Sequence, residues 1–288
     1  MKKILIIGIK GMAGHVVYHF LEKNKLFDVY GIARNIEEKA KLFDVDVSDI
    51  ERLSSIIEEN NFDYIINCIG ILNKDAEDNP SKAIWFNSYF PHYLEKITKE
   101  IKTKIIHIST DCVFSGKKGG YNEKDFKDGV GFYAQSKALG ELDNSKDVTI
   151  RTSIIGPEIN RNGIGLFHWF MSQSDDAKLK GFTNAFWTGL TTLELANVIT
   201  EIMTQDITGL IQVVPSFKID KHSLISLFNS IYKNGIIEIE PNGDYFVDKS
   251  LISIRTDFKY LVPDYKIMLE NQKQWISSYP DLYPHYNI

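Results

Sequence analysis

Three glycines within the first fourteen residues constrain this chain more than any other feature. The chain opens Met-Lys-Lys-Ile-Leu-Ile-Ile-Gly-Ile-Lys-Gly-Met-Ala-Gly. Ile4 to Ile7 is the short aliphatic run expected of a strand buried on both faces. Gly8, Gly11 and Gly14 follow, and then Val16, Val17, Phe20 and Leu21 recur on one face at helical spacing. Strand, glycine turn and helix make a cradle for a pyrophosphate. Glycine lets the backbone approach the phosphates closely. The first helical residues, Met12 and Ala13 among them, offer unpaired N–H groups at the positive end of the helix dipole. The expected occupant is a dinucleotide.

The next elements refine that expectation. Phe27 to Asn35 reads as a second strand with Arg34 at its end. An NAD-specific unit usually places an acid there, bonded to the ribose 2′-hydroxyl. A guanidinium suits a 2′-phosphate instead, and with no carboxylate competing NADPH is the expected cofactor, NADH the alternative. Ala40 to Val47 reads as a third strand, with Asp46 and Val47 where an adenine ring would rest. Ser48 caps a helix through Asn60, with Ile50, Leu53, Ile56 and Ile57 facing inward. Phe62 to Gly70 is a fourth strand whose exit turn holds Cys68, Ile69 and Gly70. Asn79-Pro80 opens a long helix with a buried stripe of Ala83, Phe86, Phe90, Tyr93, Leu94 and Ile97. Asn87 interrupts that stripe, and a buried asparagine must be hydrogen-bonded, as a structural tie or within a proton relay.

Lys104 to Gly116 is a fifth strand and its exit loop. Ser109, Thr110 and Asp111 stand at its carboxyl end, where open α/β sheets place their ligands. His107, inside the strand, reads as a satisfied core histidine. A glycine-rich loop from Lys117 to Gly131 leads to a helix over Phe132 to Glu141 and a sixth strand over Val148 to Gly156. The alternation of strand and helix predicts an α/β fold, a Rossmann-type doubly wound parallel sheet with right-handed crossovers. Leu193 to Thr204 reads as a further helix. Gly209 to Val214 reads as a strand returning to the main sheet. Residues 1–152 and 186–215 are assigned to the NADP-binding domain. Residues 153–185 and 216–288, rich in aromatics, form a smaller, discontinuous C-terminal substrate lobe.

Bulk properties exclude other classes. A net charge of -5 over 288 residues leaves no basic footprint for nucleic acid and no polybasic membrane patch. Cys68 and Cys112 sit in apolar surroundings and read as buried thiols in a reducing compartment. Lys2 and Lys3 precede an apolar run too short for a signal peptide, and no run approaches membrane-spanning length. A soluble cytoplasmic protein is expected, without metal, and with a homodimer among the open quaternary states.

The chemistry centres on Tyr133 and Lys137, four apart and therefore on one face of a helix. A phenol can give a proton to a forming alkoxide, but its ordinary pKa is about 10. A neighbouring ammonium and the helix N-terminus both favour tyrosinate. Lowering that pKa by about three units needs about 4 kcal/mol, more than one screened pair supplies. Thr110 would share the substrate oxygen with Tyr133. A second Tyr-x-x-x-Lys, Tyr245 to Lys249, follows no glycine cradle and sits beside Asn242-Gly243 in an expected hairpin. It reads as structural.

At these residues the chain resembles the extended and atypical short-chain dehydrogenase/reductases, and among them the dTDP-4-dehydrorhamnose reductase group of sugar-nucleotide reductases. The resemblance rests on Gly8-x-x-Gly11-x-x-Gly14, Ser109-Thr-Asp-Cys-Val-Phe-Ser-Gly116, Tyr133-Ala-Gln-Ser-Lys137 with Gly140-Glu141, and Arg151-Thr-Ser153. It implies a triad of Thr110, Tyr133 and Lys137. Tyr133 would be the general acid, Lys137 would hold the nicotinamide ribose, and Thr110 would orient the carbonyl. Asn67 and Gly70 would match the family turn beside the cofactor, with Cys68 and Ile69 between them, and Asn87 the family's helix asparagine. Asp111, Val113 and Phe114 of the strand-end motif, Asn184 and Trp187 of the segment to Gly189, and Arg255 would meet a nucleotide sugar.

The family's 4,6-dehydratases carry Thr-Asp-Glu at the strand end, where the acidic pair assists water elimination. Cys112 replaces that glutamate here and cannot act as the acid at neutral pH. The implied activity is therefore reduction of a nucleotide-activated 4-keto-6-deoxysugar, for cell-surface polysaccharide. The alternatives are an NAD-dependent epimerase or dehydratase and a non-catalytic NADP-binding regulatory subunit.

Overall fold

The computed structural model describes residues 1–288. Its first half follows the predicted alternation, with several differences of detail. β1 (Lys2–Ile7) leads into α1 (Met12–Glu22), then β2 (Phe27–Ala33) and β3 (Leu42–Asp44). β3 is shorter than expected because Lys39 and Leu42 first close an antiparallel bridge of their own. α2 (Ile50–Asn60) is capped by Asp49, not Ser48: the Asp49 carboxylate accepts from the Arg52 N–H at 3.0 Å. After β4 (Tyr64–Asn67) comes a helix absent from the sequence reading, α3 (Asn73–Asp78).

The long helix is interrupted. α4 (Pro80–Ala83) passes into a π-helical segment, Ile84–Tyr89, before α5 (Phe90–Ile97). The wider π turn brings the consecutive residues Asn87 and Ser88 both to Ser136: Asn87 Nδ2 donates to its hydroxyl at 3.0 Å, and Ser88 Oγ to its carbonyl at 2.7 Å. β5 (Lys104–Ser109), α6 (Phe132–Leu139) and β6 (Val148–Arg151) follow. The expected sixth strand splits, because the chain leaves β5 after Arg151 and re-forms as β7 (Ile154–Ile155).

The remaining elements are α7 (Leu166–Met171), β8 (Lys178–Trp187), β9 (Leu190–Thr191), α8 (Thr192–Thr204), β10 (Gly209–Gln212), β11 (Ile219–Asp220), α9 (Lys221–Tyr232), β12 (Glu238–Asp248) and α10 (Tyr265–Ser277). The seven-stranded parallel sheet runs β10-β6-β5-β4-β1-β2-β3, so β10 does return to it. Ile4 to Ile7 are fully buried at its centre. Leu53, Ile56 and Ile57 of α2 and Phe90 and Leu94 of α5 pack into the same core.

The chain divides into two compact units: residues 1–110, 130–151 and 202–211, and residues 111–129, 152–201 and 212–288. Residues 111–129, 152, 186–201 and 212–215 thus fall in the second unit rather than the first. The end of β8 explains part of this, since Phe186 and Trp187 pair with β11 in a three-stranded sheet ordered β11-β8-β12. Asn242-Gly243 makes no hairpin there. β12 runs parallel to β8 from Glu238 to Asp248 and absorbs Gly243 in an irregularity between Asn242 and Phe246.

Candidate functional site

The glycine turn has the geometry a phosphate cradle requires. Gly8 lies in the left-handed region, at φ 97°. A side chain on Gly14 would place its Cβ 2.2 Å from the Gly8 carbonyl oxygen, so helix and strand close only around glycine. The turn is tied by the Gly11 N–H to the Gly8 carbonyl at 2.9 Å. Gly11 caps α1 without a side chain, which leaves the first N–H groups of the helix to a ligand. His15 reinforces the turn, its Nδ1–H donating to the Gly11 carbonyl at 2.8 Å. Burial lowers the pKa of that imidazole to about 4.

A cleft of about 380 Å³ opens beside the turn. Gly8, Gly11, Arg34, Asp46, Val47, Cys68, Ile69 and Gly70 all line it, as expected. Met12, Ala13 and Gly14 form the first residues of α1. Lys10 also lines the cleft and was missed; its amine donates to the Arg34 and Asn35 carbonyls at 3.2 Å each. Its place between the glycines was the available signal. A carboxylate does compete for Arg34, contrary to expectation: Asp46 Oδ2 lies 3.2 Å from its Nη1. The Ser48 N–H, then the Ser48 hydroxyl and Arg34, hold the Asp46 carboxyl below its ordinary range. Burial pushes the Cys68 thiol up to about 12, so it is a neutral wall of the cleft. The residues fit a dinucleotide: glycine-bared backbone for the phosphates, and two cations at the Arg34 end.

The Asn87 amide acts as a tie. Its oxygen accepts the Ile71 N–H at 2.8 Å, and its two amide hydrogens go to the Ile71 carbonyl and to Ser136. Both amide hydrogens are thus committed, and the side chain clamps the turn after β4 to α6. Gly140 closes that clamp, since a Cβ there would lie 1.8 Å from the Asn87 carbonyl oxygen.

α6 carries Tyr133 and Lys137 one turn apart. Glu77 of α3 caps it, accepting the Phe132 and Tyr133 N–H groups at 3.0 and 3.1 Å. Tyr133 is half-buried. Lys137 is 4% exposed and points inward. Its amine donates to the Ile108 carbonyl at 2.7 Å and lies 3.4 Å from His107 Nε2. Burial lowers the amine's pKa to about 8, against the opposing pull of Glu141 and Cys68. Thr110, buried, follows directly on β5. Ser109 is committed elsewhere, its hydroxyl donating to Glu141 at 2.7 Å, while Glu141 also receives Arg151 Nε and Nη2 at 2.8 and 2.7 Å. That buried fork fixes the end of β5 relative to α6 and β6.

The second unit treats the expected substrate residues differently. Asp111 and Val113 bound a short 3₁₀ turn. Val113 and Phe114 are fully buried, and Phe114 stacks on Tyr121 at 4.2 Å between ring centroids, so neither offers a side-chain surface. Trp187 is likewise buried, with Lys221 Nζ 4.7 Å above its ring. Burial lowers the Lys221 amine to about 8, opposed by Asp111 and Cys112. Asn184 Nδ2 donates to the Gly243 carbonyl at 3.0 Å, and Arg255 Nε to Asp257 at 2.7 Å. A cleft of about 520 Å³ in this unit is lined by Lys118, Gly119, Thr188, Phe217, Lys218 and Ser250, of which only Thr188 belongs to a segment expected to meet the substrate. No cluster of His, Cys, Asp or Glu side chains has the makings of a metal site, and no helix is long and apolar enough to cross a membrane.

The sequence pattern of the RmlD substrate binding domain matches residues 1–210. The chain belongs to that family. Among curated relatives of this RmlD-type chain, the probable low-salt glycan biosynthesis reductase Agl14 of Haloferax volcanii is 30% identical over 143 residues, 47% of this chain and 46% of that one. The dTDP-4-dehydrorhamnose reductase of Aggregatibacter actinomycetemcomitans is 30% identical over 168 residues, 56% of this chain and 54% of that one. Methionine adenosyltransferase 2 subunit beta of Bos taurus is 27% identical over 166 residues, 56% and 49% of the two chains. The aligned stretch thus spans about half the length of these relatives. A solved structure titled dTDP-4-dehydrorhamnose reductase from Bacillus anthracis, in complex with NADP, superposes with a TM-score of 0.79 at 20% identity, covering 96% of this chain and 99% of that one. A hypothetical dTDP-4-dehydrorhamnose reductase from Sulfolobus tokodaii gives 0.72 at 25% identity, covering 91% and 97%.

Proposed function

We propose that this protein is an NADPH-dependent reductase of a nucleotide-activated 4-keto-6-deoxysugar, serving the synthesis of cell-surface polysaccharide. The observation that carries the proposal is the glycine-lined cleft, which joins Gly8, Gly11, Arg34 and Val47 in the unit that also bears Thr110, Tyr133 and Lys137. Relatives named as dTDP-4-dehydrorhamnose and glycan biosynthesis reductases support the substrate class. The NADP complex of the Bacillus anthracis protein supports the cofactor.

When bound, NADPH would supply the hydride for the keto carbon; the protein's own groups do the rest. The Gly8–Gly14 turn and the first N–H groups of α1 hold the pyrophosphate. Arg34 and Lys10 face the 2′-phosphate, for which Arg34 gives up Asp46. Thr110 donates a hydrogen bond to the carbonyl oxygen, and Tyr133 gives that oxygen its proton as negative charge develops. Lys137 holds the nicotinamide ribose. Of the proposed substrate residues, Asp111, Asn184 and Arg255 keep polar side chains, whereas Val113 and Phe114 would act through backbone alone.

The likeness to a subunit of another enzyme keeps a non-catalytic NADP-binding role as the second reading. Retention of both Tyr133 and Lys137 supports the enzyme. A panel of dTDP-, UDP- and GDP-4-keto-6-deoxysugars assayed for NADPH consumption tests the proposal. Turnover of at least one is expected, and binding of NADPH without turnover of any would favour the second reading.

A further inference from the structure

His107 lies inside β5, fully buried, with a nitrogen-bearing neighbour at each ring nitrogen. Nδ1 is 3.2 Å from the Asn67 amide nitrogen, and Nε2 is 3.4 Å from Lys137 Nζ. The Asn67 amide cannot be turned round, because its oxygen accepts the Ile69 N–H at 3.1 Å. Its NH₂ therefore donates toward His107. A neutral imidazole has one donor and one acceptor. With Nδ1 accepting from Asn67, the ring proton sits on Nε2 and is aimed at Lys137. An ammonium has only donors and would meet that N–H donor to donor. A neutral amine has a lone pair to receive it, and still gives a hydrogen to the Ile108 carbonyl at 2.7 Å.

The other protonation patterns fail on the same count. The opposite tautomer would seat the ammonium but face two N–H donors across the contact with Asn67. An imidazolium would face donors at both nitrogens, and burial holds the His107 pKa well below its ordinary value, with Lys137 and His92 pushing the same way. Glu141, just past the end of its own helix, and Cys68, after β4, also act on the Lys137 amine, and Tyr133 stands one turn earlier on the same helix. Glu141 is committed to Ser109 and Arg151.

We propose that His107 is a positioning residue for Lys137: it holds the amine inward on the Ile108 carbonyl and favours its uncharged form until a bound ligand draws it out. Drawn out, the amine leaves the His107 N–H and meets the ribose as an ammonium. This extends the role given to Lys137 above and rests on it.

Two measurements test the inference. Long-range ¹H–¹⁵N correlation spectra of the whole ligand-free chain report histidine tautomers directly. His107 is expected as the neutral Nε2–H form at about pH 9, above the amine's pKa of about 8. An Nδ1–H form or an imidazolium would overturn the proposal, and neither outcome touches the reductase reading. In turnover, His107→Gln places an amide at the same contact, free to turn its oxygen to an ammonium. The alkaline limb of kcat/KM is expected to move up by about one pH unit. A merely structural histidine would change the rate and leave that limb in place, and an unmoved limb refutes the proposal.

Discussion

The Glu77 carboxylate caps the helix that carries Tyr133, accepting the Tyr133 N–H at 3.1 Å. Gly131, at the N-cap of that helix, has no side chain to do this and stands at φ 93°. The cap therefore comes from α3. Glu77→Ala is expected to cost about 1 kcal/mol in urea unfolding, as cap removals do, and to lower turnover by loosening the Tyr133 backbone. Unchanged stability together with unchanged turnover would show the cap to be idle.

Arg34 presents a partly exposed guanidinium at the edge of the cleft, already paired with Asp46. Arg34→Gln should weaken NADPH by about 10- to 100-fold, the worth of a charge-assisted hydrogen bond, and NADH hardly at all. Asp46→Asn should tighten NADPH a few-fold by freeing the arginine. Fluorescence titrations with both cofactors at one salt concentration decide the matter, and equal losses for the two would contradict the 2′-phosphate assignment.

The Glu141–Arg151 fork is buried on both sides, at 2% and 1% side-chain exposure. Glu141→Ala strands a buried guanidinium and is expected to cost about 3–5 kcal/mol in chemical denaturation. The double variant Glu141→Leu with Arg151→Met should cost less than Glu141→Ala alone, because no charge is left unpaired. A double variant as unstable as the single one would mean that packing, not the stranded charge, sets the loss.

His15 sets an acid limb of stability. Its pKa, ordinarily 6.5, is lowered to about 4 in the fold, mainly by burial. Between these values the unfolded chain binds a proton that the folded chain does not, so stability rises with pH there. The contribution is fully present above about pH 6.5 and is lost as pH falls, the loss reaching about 3 kcal/mol near pH 4. Unfolding free energies from pH 4 to 7 should show this slope in the native chain and a shallower one in His15→Leu. Parallel slopes would assign the acid sensitivity elsewhere.

Local signals were legible in the sequence and long-range pairings were not. The apolar run Ile4–Ile7 and the spacing of Gly8, Gly11 and Gly14 are set within fourteen residues, and the strand, turn and helix appear where that spacing puts them. The Arg34–Asp46 contact depends on the register of β2 against β3, which no window of sequence contains. The stripe Ala83, Phe86, Phe90, Tyr93 and Leu94 fits an α-helix well enough to hide the π segment; the paired polar residues Asn87-Ser88 were the only local hint. Phe114 and Trp187 lie in motifs that resemblance assigned to substrate. A motif does not distinguish a side chain that faces a ligand from one that packs beneath it. Asn242-Gly243 looked like a hairpin because turn chemistry is local, whereas the partner of β12 is β8, some sixty residues away.

The proton given by Tyr133 to the substrate oxygen is the step on which the functional account turns, and a single-turnover measurement with NADPH and a dTDP-4-keto-6-deoxysugar isolates it. Tyr133→Phe is expected to slow NADPH oxidation by about 10²- to 10⁴-fold while leaving NADPH affinity unchanged; Tyr245→Phe should leave the rate intact. Oxidation of NADPH by Tyr133→Phe at the native rate would contradict the account.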